Sequence, residues 1–205
     1  QNGASDTLIE GNLLDGGLVA VTSSSNRRLT VRNNVIHDFS SVGLSIISGS
    51  VDAHFHDNLI YNCNKNIRLH RLNQGDGYRV YLYRNRLFQP QGVGEHIYTH
   101  AHTEEQLEQM NIDDYGDPEV TIYHNTFIGG SCFMSLTTRM RNGVPGFRFI
   151  NNVIASERTF RWFRDDTVIG VFDYNWINDS GSFDQQVWFG EHNILDSGPT
   201  PWPTD

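Results

Sequence analysis

The stretch Leu29-Thr-Val-Arg-Asn-Asn-Val-Ile36 carries the pattern on which the whole chain is built. Leu29 and Val31 alternate with polar residues, Asn34 ends the alternation, and a second short apolar run begins at once. Similar stretches follow at 53–60, 80–87, 120–127, 147–154 and, more loosely, 171–177, with degenerate copies at 8–14 and 189–195. The asparagines at the pivotal position are Asn12, Asn34, Asn58, Asn85, Asn125, Asn152, Asn175 and Asn193, which lie 22, 24, 27, 40, 27, 23 and 18 residues apart. This recurrence is typical of a repeat architecture.

Each copy predicts two short strands joined at an asparagine. Alternation of apolar and polar residues favours a half-buried strand, and the residue that ends it must turn the chain without ending the sheet. Asparagine adopts the left-handed backbone conformation readily and bonds nearby backbone through its amide. If equivalent asparagines stack about 4.8 Å apart in successive coils, each amide can bond the one above and the one below. The sequence therefore predicts an all-β chain, a right-handed parallel β-helix of about eight coils with an asparagine ladder.

The alternative all-β architecture is a sandwich of antiparallel hairpins. A sandwich of that kind needs tight turns such as Asn-Gly or Asp-Gly between its strands. In this chain these dipeptides occur at 2–3, 15–16, 76–77 and 142–143, and they do not recur between the apolar runs as a sandwich would require. The pattern therefore favours the β-helix over the sandwich.

The repeat resembles that of the pectate-lyase-like superfamily. In that family a Gly-Ile-x-Leu strand leads through a Ser/Asn-rich turn into a strand that ends in Asn-Asn-x-Ile. Gly43-Leu-Ser-Ile-Ile-Ser48 before 51–60, and the stretch 17–26 before 29–36, are similar to it. The resemblance covers nearly the whole chain and implies the parallel β-helix fold. It leaves activity open, because lyases, hydrolases, epimerases, tailspikes and adhesins share the fold.

Length and repeat together indicate one β-helix domain over 1–196, followed by a Pro-rich tail or cap at 197–205. Residues 1–16 hold only half a coil. We therefore expect the N-terminal coils to be completed by an upstream segment or by end-to-end association, because an open end exposes unpaired strand edges.

Composition limits the partners and the compartment. The net charge of −9 excludes a general nucleic-acid binder and makes any local group of cations informative. No stretch has the apolar length of a membrane span, so we expect none. The two cysteines form no disulfide framework and so do not indicate the compartment. Proteins with this fold are commonly exported, so we expect a secreted or cell-surface protein, with bacterial export favoured.

Chemically active side chains gather in the middle of the chain. In the stretch 66–71 the alternation places Arg68 and His70 outside, and in the stretch 96–102 it places Tyr98 and His100 outside. These residues are the candidate catalytic groups. Aligning the strands of successive coils extends the same surface and gives the candidate substrate-binding residues Arg71, His102, Phe133, Ser135, Arg139, Arg161 and Phe163. In that alignment Phe133 stands beside Tyr98, Ser135 stands beside His100, and the two phenylalanines are exposed to stack on sugar rings.

An insertion over 103–118 explains the spacing of 40 residues between two pivotal asparagines. Thr103-Glu-Glu-Gln106 matches a capping box and predicts one short inserted helix. The acidic residues Asp113, Asp114 and Asp117 follow it, and they are candidate ligands for Ca²⁺, although solvated loop acids often cluster without a metal. No cofactor is otherwise indicated.

These residue types match the needs of β-elimination on a uronic-acid polysaccharide. A cation neutralises the C5 carboxylate, a base removes the C5 proton, and an acid protonates the leaving O4. The sequence therefore favours a lyase-like or epimerase-like enzyme acting on an acidic glycan. The alternative is a non-catalytic β-helix that binds glycan or forms a structural segment of a larger exported protein, as in adhesins and tailspikes. In that alternative the outward Arg, Tyr and His side chains only cover the sheet surface.

Overall fold

The computed structural model describes residues 5–47, 50–70, 78–91, 94–100, 119–136, 144–161, 169–179 and 190–196. Within these residues the chain is all-β, without a helix. The strands are β1 (Leu8–Glu10), β2 (Leu13–Ser24), β3 (Thr30–Arg32), β4 (Val35–Ile47), β5 (Ala53–His56), β6 (Leu59–Tyr61), β7 (Lys65–His70), β8 (Arg79–Tyr83), β9 (Arg86–Phe88), β10 (Glu95–His100), β11 (Glu119–Tyr123), β12 (Thr126–Ile128), β13 (Cys132–Leu136), β14 (Val144–Ile150), β15 (Val153–Ser156), β16 (Phe160–Arg161), β17 (Ile169–Asp173), β18 (Trp176–Asp179) and β19 (Ile194–Asp196).

The strands form two sheets in which every described pair is parallel. One sheet has seven strands in the order β1-β3-β5-β8-β11-β14-β17, and the other has twelve strands, of which β2 pairs beside β4. The two ends of strand β4 pair with different strands. Its residues 35–37 pair with β6, and its residues 42–47 pair with β7. The larger sheet therefore curls strongly, an arrangement compatible with a parallel β-helix. The sandwich of antiparallel hairpins is excluded.

The core lies between the inward faces of the two sheets. In the seven-stranded sheet the central residue of each strand points inward, and Val31, Phe55, Leu82, Ile122, Phe149 and Phe172 are at most 1% exposed. The facing strands contribute Ile36, Ile60, Leu87, Phe127, Ile154 and Ile177, which are buried to the same degree. Burial of such side chains is worth about 1.5 to 3 kcal/mol each, so this continuous column is the main source of stability.

The eight pivotal asparagines, here called the column asparagines, are joined by side-chain hydrogen bonds. In each successive pair the amide nitrogen of the earlier asparagine donates to Oδ1 of the next, over 2.9 to 3.1 Å. The backbone N–H of the earlier residue donates to the same oxygen. The amide also donates to a backbone carbonyl of the preceding coil, as Asn58 does to Val31. The six central members are at most 2% exposed, so these bonds satisfy polar groups that water does not reach.

In seven of the eight turns the left-handed residue is the one before the column asparagine. Asn33, Asp57, Arg84, His124, Asn151 and Tyr174 have φ between 52° and 58°, and Gly11 occupies the same place at 69°. The sequence prediction assigned this conformation to the asparagine itself and was wrong. Two residues therefore form the turn. The first has the left-handed backbone conformation, and the second, the column asparagine, buries its side-chain amide.

Several sequence predictions lie outside the described residues. They are the short helix and the acidic groups of 103–118, and the tail at 197–205.

Both cysteines are buried and free of a disulfide. In the part of the chain that the structure describes, no helix has the length and apolar character needed to cross a membrane.

Replacing one central column asparagine tests the energetic role of these bonds. Asn58→Ala leaves the N–H groups of Asn34 without their side-chain acceptor, and it removes one donor each from the Val31 carbonyl and from Asn85 Oδ1, which keeps the backbone N–H of residue 58. We expect the free energy of unfolding, measured in urea, to fall by about 1 to 3 kcal/mol. The control is Asn12→Ala, because Asn12 is exposed at the end of the column and water can replace its bonds. Equal losses in the two variants would contradict a stabilising role specific to the buried column.

Candidate functional site

The candidate site lies on two neighbouring strands of the larger sheet, β7 and β10. Their parallel register sets Arg68 beside Tyr98 and His70 beside His100. We call these four residues the β7–β10 site. The sequence prediction of their orientation is confirmed, because all four are partly exposed while Ile67, Leu69, Ile97 and Thr99 between them are at most 1% exposed.

The two histidines of the β7–β10 site form a pair. The ring centroids of His70 and His100 are 4.7 Å apart, with an angle of 39° between the planes. This separation matches the spacing of adjacent strands, so the pair follows directly from the register. Each imidazole can accept or donate a proton through a ring nitrogen, so the pair offers two groups for proton transfer.

The arginine and the tyrosine are held by contacts that the sequence did not reveal. Arg68 donates from Nε to Oγ of Ser45, over 3.0 Å, and Ser45 is the register partner of Arg68 on β4. This bond fixes the base of the guanidinium and leaves its terminal nitrogens as further donors. The ammonium nitrogen of Lys65 lies 5.0 Å from the centre of the Tyr98 ring, which is a cation–π contact. Two cationic side chains of β7, Lys65 and Arg68, therefore lie beside Tyr98.

A buried hydroxyl continues the row that contains Arg68 and Tyr98. Ser135 on β13 is the register partner of Tyr98, and Arg161 on β16 is the register partner of Ser135. Ser135 is fully buried, and its Oγ has no hydrogen-bond partner among the described residues. Its own carbonyl accepts a bond from Oγ1 of Thr99, over 2.9 Å. The sequence alignment had placed Ser135 beside His100 and exposed, and it was wrong on both points.

Phe133 does not belong to the exposed surface. It is fully buried, and its ring packs edge-to-face on Phe127 and Phe149, with centroids 4.6 Å and 5.7 Å away. The prediction that it stacks on a sugar ring is therefore wrong. The alternation rule fails along β13 as a whole, where four successive residues, 132 to 135, are all fully buried.

His96 is a buried histidine that sequence analysis left without a role. It is fully buried, its Nε2 lies 2.8 Å from the carbonyl of Gly129, and its Nδ1 lies 3.0 Å from the amide nitrogen of Asn66. A carbonyl accepts and an amide N–H donates, so the ring is neutral with its proton on Nε2. Burial lowers the pKa of His96 to about 4. No local motif marks it, because its partners come from other coils.

The remaining candidate residues lie outside the described part of the chain. They are the substrate-binding candidates Arg71, His102, Arg139 and Phe163 and the metal candidates Asp113, Asp114 and Asp117. Arg161 is described in its backbone register only. The roles assigned to all of these residues stay predictions.

The chain matches no protein-family model, no curated protein and no solved structure.

The buried His96 predicts a loss of stability in mild acid. The unfolded chain binds a proton on this histidine near its ordinary pKa of 6.5, whereas the folded chain does so only near 4. As pH falls through this window the unfolded state gains protons first, so the free energy of unfolding decreases, by about 3 kcal/mol for this group.

The variant His96→Gln, which keeps a donor and an acceptor but does not titrate, should have a flatter profile between pH 6.5 and 4. His124→Asn is the control, because His124 is exposed and Asn tolerates its positive φ. Urea unfolding across this pH range measures the slopes. Parallel slopes for wild type and His96→Gln would contradict the assignment.

Proposed function

We propose that this chain is a right-handed parallel β-helix of about eight coils that acts on an acidic, uronic-acid polysaccharide by abstracting the proton at C5. The observation that carries the proposal is the register that sets Arg68 beside Tyr98 and His70 beside His100 on a partly exposed surface. These are the residue types that the reaction requires, and adjacent strands bring them within about 5 Å of one another.

In the proposed reaction Arg68 and His70 neutralise the carboxylate attached to C5. This makes the C5 proton more acidic, because the charge that develops on the carboxylate is stabilised. Neutral His100 takes the proton, and the electrons of the C5–H bond form the C4–C5 double bond. The C4–O4 bond breaks, and Tyr98 donates its proton to the leaving O4. If O4 is retained, return of a proton to the opposite face of C5 gives epimerisation instead.

Two neighbouring groups support the assignment. Ser45 restrains Arg68, which lowers the conformational entropy that substrate binding would otherwise cost. Lys65 adds positive charge next to the Tyr98 ring, which favours an anionic substrate at this place on a chain of net charge −9.

The second candidate is a β-helix that binds glycan without catalysis. Lys65 and Arg68 favour it, because two cations beside Tyr98 can bind a carboxylate without any proton transfer. Under either candidate the chain acts outside the cell, where acidic polysaccharides occur.

Tyr98→Phe separates the two candidates, because it keeps the ring and removes only the proton. We expect the protein to generate the absorbance of unsaturated uronate from alginate, pectate or a glycosaminoglycan, and the variant to lose about 10²- to 10⁴-fold in turnover with binding intact. Tyr81→Phe is the matched control, because Tyr81 is a partly exposed tyrosine on the other sheet.

An epimerase gives no such absorbance, so the products are also examined by proton NMR after incubation in heavy water, where abstraction at C5 leads to deuterium at that carbon. Absence of both signals on every substrate, with and without Ca²⁺, would overturn the enzymatic proposal. If the chain still binds a polysaccharide and Arg68→Gln weakens that binding, the second candidate would then be favoured.

A further inference from the structure

A group of potential metal ligands lies on the other half of β4, away from the β7–β10 site. Asp15 on β2 is the register partner of His37 on β4, and Asp38 follows His37 directly. Nδ1 of His37 is 3.4 Å from a carboxylate oxygen of Asp15 and 2.5 Å from one of Asp38. The three donor atoms all lie within 4.8 Å of one another. One nitrogen and two oxygen donors therefore converge from two adjacent strands.

The ligand atoms are held in place by residues of the next coil. The ring of Tyr61 stacks on His37, with centroids 4.8 Å apart and an angle of 7° between planes. The amide of Asn62 donates to the second carboxylate oxygen of Asp38. Such outer contacts fix the orientation of a metal ligand and are a regular part of metal sites. Because Asp15 and Asp38 are 64% and 44% exposed in their side chains, an ion can enter from solvent.

The chain contains an internal comparison for this group. His56–Asp57 is the same dipeptide, also with a positive φ at the aspartate and a hydrogen bond of 2.7 Å between the side chains. There Arg84 donates two hydrogen bonds to Asp57, over 2.9 and 2.7 Å, and neutralises it. At His37–Asp38 the place of Arg84 in the next coil is taken by Asn62, whose amide donates to Asp38 without neutralising it, and Asp15 of the preceding coil adds a second carboxylate. Within the described residues neither Asp15 nor Asp38 pairs with an arginine or lysine.

We propose that Asp15, His37 and Asp38 bind a zinc ion. A donor set of one imidazole and two carboxylates suits Zn²⁺, whereas Ca²⁺ and Mg²⁺ prefer oxygen ligands alone. Ligands of a tetrahedral zinc ion are separated by about 3.3 Å, which follows from metal–ligand bonds near 2.0 Å. The contact between His37 and Asp15 already has this separation, and Asp38 reaches it by rotating its carboxylate away from His37. Three protein ligands leave the fourth position to water.

The test is isothermal titration calorimetry, in which Zn²⁺ alone is added to the purified chain near neutral pH. We expect one site, and we expect Asp15→Asn and His37→Gln each to weaken its binding at least about tenfold. Asp15 is exposed, so its variant should fold normally even if the other variant does not. His56→Gln is the matched control at the neutralised corner and should bind Zn²⁺ as the parent does.

A second measurement locates the ion independently of affinity. Anomalous diffraction at the zinc edge should give a peak between the three side chains. Ca²⁺ at the same concentration as Zn²⁺ should not displace Zn²⁺ from the site. The proposal is overturned if Zn²⁺ does not bind, if Asp15→Asn binds it as tightly as the parent, or if His56→Gln weakens binding to the same extent. None of these outcomes depends on the proposed polysaccharide activity.

Discussion

The hydrogen bonds of the column asparagines are the interaction on which the rest of the structure depends. Each central amide is buried and both its oxygen and its nitrogen are occupied, so a displaced coil would leave polar groups without partners in an apolar interior. The bonds keep lengths of 2.9 to 3.1 Å although the intervening chain varies from 18 to 40 residues. Insertions therefore change the loops and leave the stack of strands in place.

Because the buried asparagines hold the strands in place, the outward-facing residues can vary and can include reactive or charged side chains. Because parallel strands repeat in register, one outward side chain per coil produces a row of groups about 4.8 Å apart, close to the length of a sugar unit. The pairs Arg68 with Tyr98 and His70 with His100 arise in this way. The group of Asp15, His37 and Asp38 arises by the same rule on another surface, where β2 and β4 pair. A single scaffold thus presents two separate sets of polar groups.

The sequence predicts the fold better than it predicts the site. Alternation correctly assigns the inward and outward residues of β7 and most of β10, since that property depends only on neighbours along the chain. It cannot fix the register of β13, because a shift by two residues preserves the alternation. The length of each turn decides that register, and it sets Ser135 rather than Phe133 beside Tyr98. Lys65, Ser45 and His96 were missed because their partners lie in other coils.

The central claim is that the β7–β10 site recognises a uronate through its carboxylate. A crystal structure of the chain with a bound uronic-acid oligosaccharide tests it most directly. The account predicts one sugar carboxylate within hydrogen-bonding distance of the Arg68 guanidinium, with C5 of the same sugar facing His100. An oligosaccharide bound on the seven-stranded sheet, or bound at β7 and β10 with its carboxylates turned to solvent, would contradict it.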